Sequence, residues 1–443
     1  MRQWMVISLL AILLSLVLTG CWGRREVDEQ AFVLAIGLDK GRENQILVTY
    51  QIAIPRIMGG GGGEGRSTGG GSGSGDNNKP VLVTSIESPS LFVSIDMVNT
   101  YIHRRASLMH TKAIVVSEEL AREKGVGTWV PGLLRFREAR RDVLIMVARG
   151  SAKDFIENNQ PMLDKNVNKY YELLSFSQYY TGFIPRSWLY DFANAIKSKG
   201  ENPVAILVGV NRTREEALSH DTSQASGPGK RPGQADEQSA EKQYVSEGSY
   251  LAGDLPRTGG NKVEFMGSAV FKKDRMVGTI NGDETIVLMM LRGEFRRGFI
   301  SLRDPRQPDM VIPLDVTLGR LPLVKVRLVD GRPEIQVTLQ IEADILGVQS
   351  GINYADPELI PELEQAFSQK IEDLVRKLIA RSQNEFDADI FGFGNKAARL
   401  FWTWDEWERF DWPSKFRTAE IKVAVKTRIR RTGLQIKTMP LRG

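Results

Sequence analysis

Cysteine is almost absent from this chain: Cys21 is the only one in 443 residues. An intramolecular disulfide is excluded, and so is a cysteine-based metal cluster. Histidine is nearly as scarce, at three residues. His103 and His110 stand seven apart, with too few others nearby to make a metal-ligand pattern, and read as packing or surface residues. After the first 20 residues no apolar run is long enough to span a bilayer, which takes about 20 residues. A large charge imbalance is missing too. The net charge of +5 is small for this length, so it is a mild pointer to an anionic surface and a weak one to nucleic acid. The neighbouring acids Asp387/Asp389 and Asp405/Glu406 sit in segments that read as helix ends or solvated faces. Adjacent acids do not make a general acid–base pair, which needs groups placed across a cleft. No catalytic constellation emerges, and no cofactor is called for. What is present, 42% hydrophobic and 26% charged residues, is ordinary globular material. The length suits about three domains.

The organising stretch is the N-terminus. Arg2 precedes an apolar run from Trp4 to Leu18, too short for a comfortable span and suited to the h-region of a secretory signal. Leu18-Thr19-Gly20-Cys21 resembles the lipobox of bacterial lipoproteins. That resemblance implies a signal peptide over 1–20, a diacylglyceryl group on the Cys21 thiol and cleavage before it. Two acyl chains hold a protein firmly at a membrane where one holds it marginally. The body is then expected at the outer face of the membrane.

Further on, Ala31–Lys40 and Ile46–Ala53 read as a hairpin through Asp39-Lys40-Gly41. Residues 58–79 form a Gly-rich insert, with 11 glycines between Gly59 and Gly75, expected to be disordered. Its match to a phosphate loop, Gly60-x-Gly62-x-x-Gly65, lacks the strand-to-helix context and the lysine. Strands are expected at Val81–Ile86, Thr111–Ser117, Arg141–Gly150 and Asn202–Val210. Helices are expected at Leu91–Arg104, after Ser117, at Val130–Phe136 and after Ser151. Such alternation indicates an α/β or α+β domain over 21–210. A polar linker follows at 211–248, then a compact middle unit over 249–297 with a hairpin around Lys272-Lys273-Asp274.

The last unit, 298–443, is expected to hold strands at Gly298–Leu302, Asp309–Asp315, Pro322–Leu328 and Arg332–Ile345. A long amphipathic helix from about Pro357 to Gln383 is expected beside them, with Ile360, Leu363, Phe367, Ile371, Leu374 and Leu378 on one face. The segment Phe401–Trp412 carries Trp402, Trp404, Trp407 and Trp412. Trp404 and Trp407 share a helical face with Leu400 by spacing, which favours core packing. Four tryptophans also suit a protein contact. In Ile421–Arg430 the alternation turns Ile421, Val423, Val425 and Ile429 inward and Lys422, Lys426, Arg428 and Arg430 outward.

Three stretches resemble the spore-germination lipoproteins of the Ger(x)C type, the C subunits of germinant receptors. The first is Cys21-Trp22-x-Arg24-Arg25-Glu26 with Ile36, Gly37, Asp39 and Lys40, where Gly23 replaces an expected acidic or polar residue. The second runs from Gly267 to Thr285, and the third is Ile429–Leu434 after the Trp-rich helix. Lys112, Arg140-Arg141-Asp142 and Ala152-Lys153 follow the same family order. The resemblance implies a non-enzymatic, lipid-anchored receptor subunit of three mixed α/β domains. Its implied partners are membrane lipid through Cys21 and two integral-membrane subunits, of A and B type, in the spore inner membrane. Nucleic acid is not expected as a partner, nor direct small-molecule binding. The alternative is a lipoprotein solute-binding protein of a transporter, but no repeated lobe pattern is visible. The expected partner contacts are the four tryptophans with Lys422, Lys426 and Arg428.

Overall fold

The computed structural model describes residues 2–8, 26–43, 45–55, 80–164, 166–212 and 246–431. Cys21, the Gly-rich insert and most of the polar linker lie outside the described residues.

The fold is a mixed α+β architecture built on two sheets. The first has the order β3-β2-β1-β5-β6-β7-β8-β9, with a short β4 (Arg105–Ser107) beside β1. Strands β1 (Gln30–Lys40), β5 (Ala113–Ser117), β6 (Leu144–Ala148) and β7 (Val204–Val210) run parallel. The hairpin partners β2 (Ile46–Ala53) and β3 (Val81–Ser88) add antiparallel at one side. At the other side β8 (Val263–Lys272) and β9 (Arg275–Ile280) add antiparallel. Both faces are covered, which is why β5 and β6 are buried at every position. Helices α1 (Leu91–Val98), α2 (Glu118–Glu123), α3 (Val130–Arg135) and α6 (Leu189–Lys197) line one face. Helices α4 (Ala152–Asn158) and α5 (Val167–Ser177) line the other. Ser117 and Ser151 cap α2 and α4 as their sequence positions suggest.

The expected middle unit does not form a sheet of its own. Its hairpin extends the first sheet, because β8 finds seven-residue β7 as a ready partner for its backbone groups. Its helix α7 (Gly282–Arg292), started by a capping box between Asn281 and Glu284, lies almost wholly buried. A helix apolar on nearly every side belongs between layers, and α7 joins the core of the second sheet.

The second sheet has the order β10-β11-β12-β13. Its strands are β10 (Arg297–Arg303), β11 (Val311–Val329), β12 (Arg332–Ile345) and β13 (Glu420–Arg431). Two of the expected strands are one: β11 runs unbroken through 19 residues, absorbing the interruption as a register irregularity between Leu318 and Leu323. The long helix α8 starts at Ile360 rather than Pro357, with Pro361 in its first turn, and ends at Arg381. Asp356 instead makes the preceding turn, accepting from the Glu358 and Leu359 N–H groups. Beyond α8, a five-residue π turn leads to Asp387 in the left-handed region.

Candidate partner-contact surface

Strand β13 pairs in parallel with β12 on one side and is the edge of its sheet on the other. That edge is closed by helix side chains. The carboxylates of Glu364 and Glu372 accept the N–H groups of Ile429 (2.8 Å) and Val425 (3.0 Å), and Ser368 Oγ accepts that of Thr427 (3.1 Å). Four helical residues rise about 6.0 Å and two strand residues about 6.6 Å, so the two ladders stay in step over three bonds. Sequence reading found the apolar stripe of α8 and missed this flanking row. Its signal is the polar series Glu364, Ser368, Glu372 at spacing four.

One face of this sheet rests on α8, with Val425 and Ile429 buried. The other is open. Outward positions run in rows across β11, β12 and β13: Arg320–Gln340–Lys426, Leu323–Thr338–Ala424 and Lys325–Gln336–Lys422. Beyond them lie Arg327–Glu334–Glu420 at one end and Thr317–Glu342–Arg428 at the other. Lys422, Lys426 and Arg428 are exposed, as their alternation requires. Lys422 pairs with Glu420 at 2.8 Å, and this bond raises its pKa. Arg430 pairs with Glu342 and Arg297 with Asp315.

The four tryptophans divide. Trp402 is 97% exposed and Trp404 64%, whereas Trp407 is 3% and Trp412 1% exposed. The shared face of Leu400, Trp404 and Trp407 does not exist. Helix α9 (Trp404–Phe410) begins only at Trp404, Leu400 belongs to a preceding 3-10 turn, and both Leu400 and Trp404 stand out in solvent. Trp407 instead packs in a chain of rings with Phe401, Phe410 and Trp412. Trp412 opens α10 (Trp412–Phe416), and its indole N–H donates to Asp389 Oδ2 at 3.0 Å. The expected contact of four tryptophans narrows to Trp402 and Trp404. They are held by a capping box in which Glu406 accepts from the Trp402 and Thr403 N–H groups.

The paired acids are accounted for structurally. Asp387 forms a 2.5 Å ion pair with Lys272. Asp389 is buried and takes the N–H groups of Phe391, Gly392 and Gly394 besides Trp412. Burial pushes its pKa up to about 6 against the pull of these donors. Its role as a hub between the 389–394 loop and Trp412 was not legible from adjacency alone. His110 meets the ring of Phe32 edge-on at 4.8 Å. No group of three or more His, Cys, Asp or Glu is placed to hold a metal among the described residues. Among them, too, no helix is long and apolar enough to cross a membrane. Cys21, Trp22, Arg24 and Arg25 lie outside them.

Two sequence families account for most of the chain. The family described as spore germination protein N-terminal domain matches residues 23–210, and that described as spore germination B3/GerAC like, C-terminal, matches 266–433. The chain belongs to the Ger(x)C-type spore germination proteins, and a role in spore germination follows. Among its relatives is spore germination protein KC of Bacillus subtilis (strain 168), 26% identical over 97% of this chain and 96% of that protein. Spore germination protein B3 of the same organism is 20% identical over 84% and 83%. A solved structure, the crystal structure of the GerBC protein, aligns over 89% of this chain and 96% of its own at 17% identity, with a TM-score of 0.46.

Proposed function

We propose that the chain is a non-enzymatic subunit of a spore germinant receptor. In this reading it is anchored by lipid on Cys21 at the outer face of the membrane and assembled with integral-membrane subunits. Family membership across both halves carries the proposal. The Leu18-Thr19-Gly20-Cys21 stretch supports the anchor. An anchored protein is confined near its membrane partners, so surfaces of modest affinity act at high effective concentration. The surfaces proposed for this contact are Trp402 and Trp404 with the outward cations Lys422, Lys426 and Arg428. The chain's contribution is then assembly and signal transmission, not chemistry. The test is acyl labelling and membrane fractionation of Cys21→Ala. The variant is expected to lose the label and leave the membrane or accumulate as precursor. Retained label would overturn the anchor.

A further inference from the structure

The open face of the second sheet has a central zone without acids. In the three rows from Arg320–Gln340–Lys426 to Lys325–Gln336–Lys422, the outward residues are four cations, two glutamines, one threonine, Leu323 and Ala424. Lys422 has Glu420 beside it. Arg320, Lys325 and Lys426 have no carboxylate partner among the described residues. Three strands span about 10 Å and four residues along a strand about 13 Å, which sets the size of the zone. Leu323, 53% exposed, stands in its middle row.

We infer that this zone docks a short acidic polypeptide segment of a protein partner, lying face-on across the strands. The inference rests on the receptor-subunit reading. Three observations select the occupant. First, strand addition at β13 is blocked, since the N–H groups of Val425, Thr427 and Ile429 are already taken by α8. Along β10, which flanks β11 only over Val311–Thr317, the Ser301 N–H is taken by Glu247 and its carbonyl by Lys370. Second, cations facing outward without carboxylate partners favour an anionic occupant. The amides of Gln336 and Gln340 add donors that suit separate carboxylates. Third, the zone is framed by Glu334 and Glu420 at one end and Glu342 at the other. An extended anionic bilayer would meet these carboxylates as well as the cations. A segment of a few acidic residues meets the cations alone.

The experiment uses the full chain in detergent and two probes, a fluorescent deca-glutamate peptide and soluble dihexanoyl phosphatidylglycerol. The peptide is expected to bind, and to bind more weakly as salt rises. The triple variant Lys325→Glu/Lys422→Glu/Lys426→Glu is expected to lose about tenfold or more in peptide affinity. Reversal of Lys169, Lys197 and Lys377, exposed elsewhere, is expected to change it little, with circular dichroism confirming the fold of both variants. Equal losses in both triple variants, or patch-dependent binding of the lipid alone, would overturn the inference. Co-isolation with membrane subunits is scored separately. If it persists undiminished in the patch variant, the docking zone fails and the receptor reading stands. If nothing co-isolates with the unaltered chain while peptide binding stays patch-dependent, the receptor reading fails and the acid-binding zone stands.

Discussion

Asp39, at the end of β1, caps the helix that begins at Ala152: its two oxygens accept the N–H groups of Ala152 and Lys153 at 2.7 and 2.8 Å. Two residues earlier, a Cβ on Gly37 would stand 2.9 Å from Ile156 Cδ1 of the same helix. The pattern Gly37-x-Asp39 and the distant Ala152-Lys153 are thus one structural unit. Asp39→Ala is expected to cost about 2 kcal/mol, because two helix-end donors lose their acceptor at a buried site. Asp39→Asn should retain part of that. Denaturant unfolding measures both.

The edge of β13 depends on α8. Alanine at Glu364, Ser368 and Glu372 together would expose three strand N–H groups to other chains. The triple variant is expected to self-associate at concentrations where the unaltered chain does not, measured by light scattering. Unchanged scattering would mean that the edge needs no cover.

The tryptophans should separate by stability. Trp412→Ala removes a buried ring and a hydrogen bond to Asp389, and is expected to cost about 4 kcal/mol. Trp402→Ala, at an exposed position, is expected to stay within about 0.5 kcal/mol. A stability loss at Trp402 like that at Trp412 would show that its ring packs on something.

Asp304 gives a pH dependence of definite sign. Burial pushes its carboxyl up, but the hydroxyls of Ser350 and Tyr354 and the N–H groups of Arg306 and Gln307 outweigh that and hold its pKa below the ordinary value. A depressed folded pKa contributes stability that is present above the unfolded value, about 3.9, and lost as pH falls through the folded one. The stability difference between the unaltered chain and Asp304→Asn is therefore expected to be flat above about pH 5 and to shrink below about pH 4. Denaturant unfolding between pH 3 and 7 checks this.

Much of the fold was legible because its signals are local. Ser117 and Ser151 cap helices, Lys272-Lys273-Asp274 turns a hairpin, and the apolar stripe of α8 repeats at three and four. The mixed sheet was less so, since the adhesion of β8 to β7 is a pairing over 53 or more residues that no periodicity encodes. Helices α5 and α6 were not among the expected elements: α5 buries only Val167 and Tyr171, whereas in α6 the spacing of Leu189, Phe192, Ala193 and Ile196 was a local signal that was missed. On the candidate surface, strict alternation placed Lys422, Lys426 and Arg428 correctly. Helical spacing misplaced Trp404, because the helix it presumed does not run back to Leu400.

The central claim is assembly beside the membrane. Its most direct test is affinity isolation of the tagged full chain from spore membranes in mild detergent, followed by identification of what comes with it. The account predicts a multi-spanning membrane subunit in the eluate, reduced when Lys422, Lys426 and Arg428 are reversed to Glu in a chain that remains folded. Recovery of the unaltered chain alone, with no membrane-spanning protein above the untagged control, would contradict it.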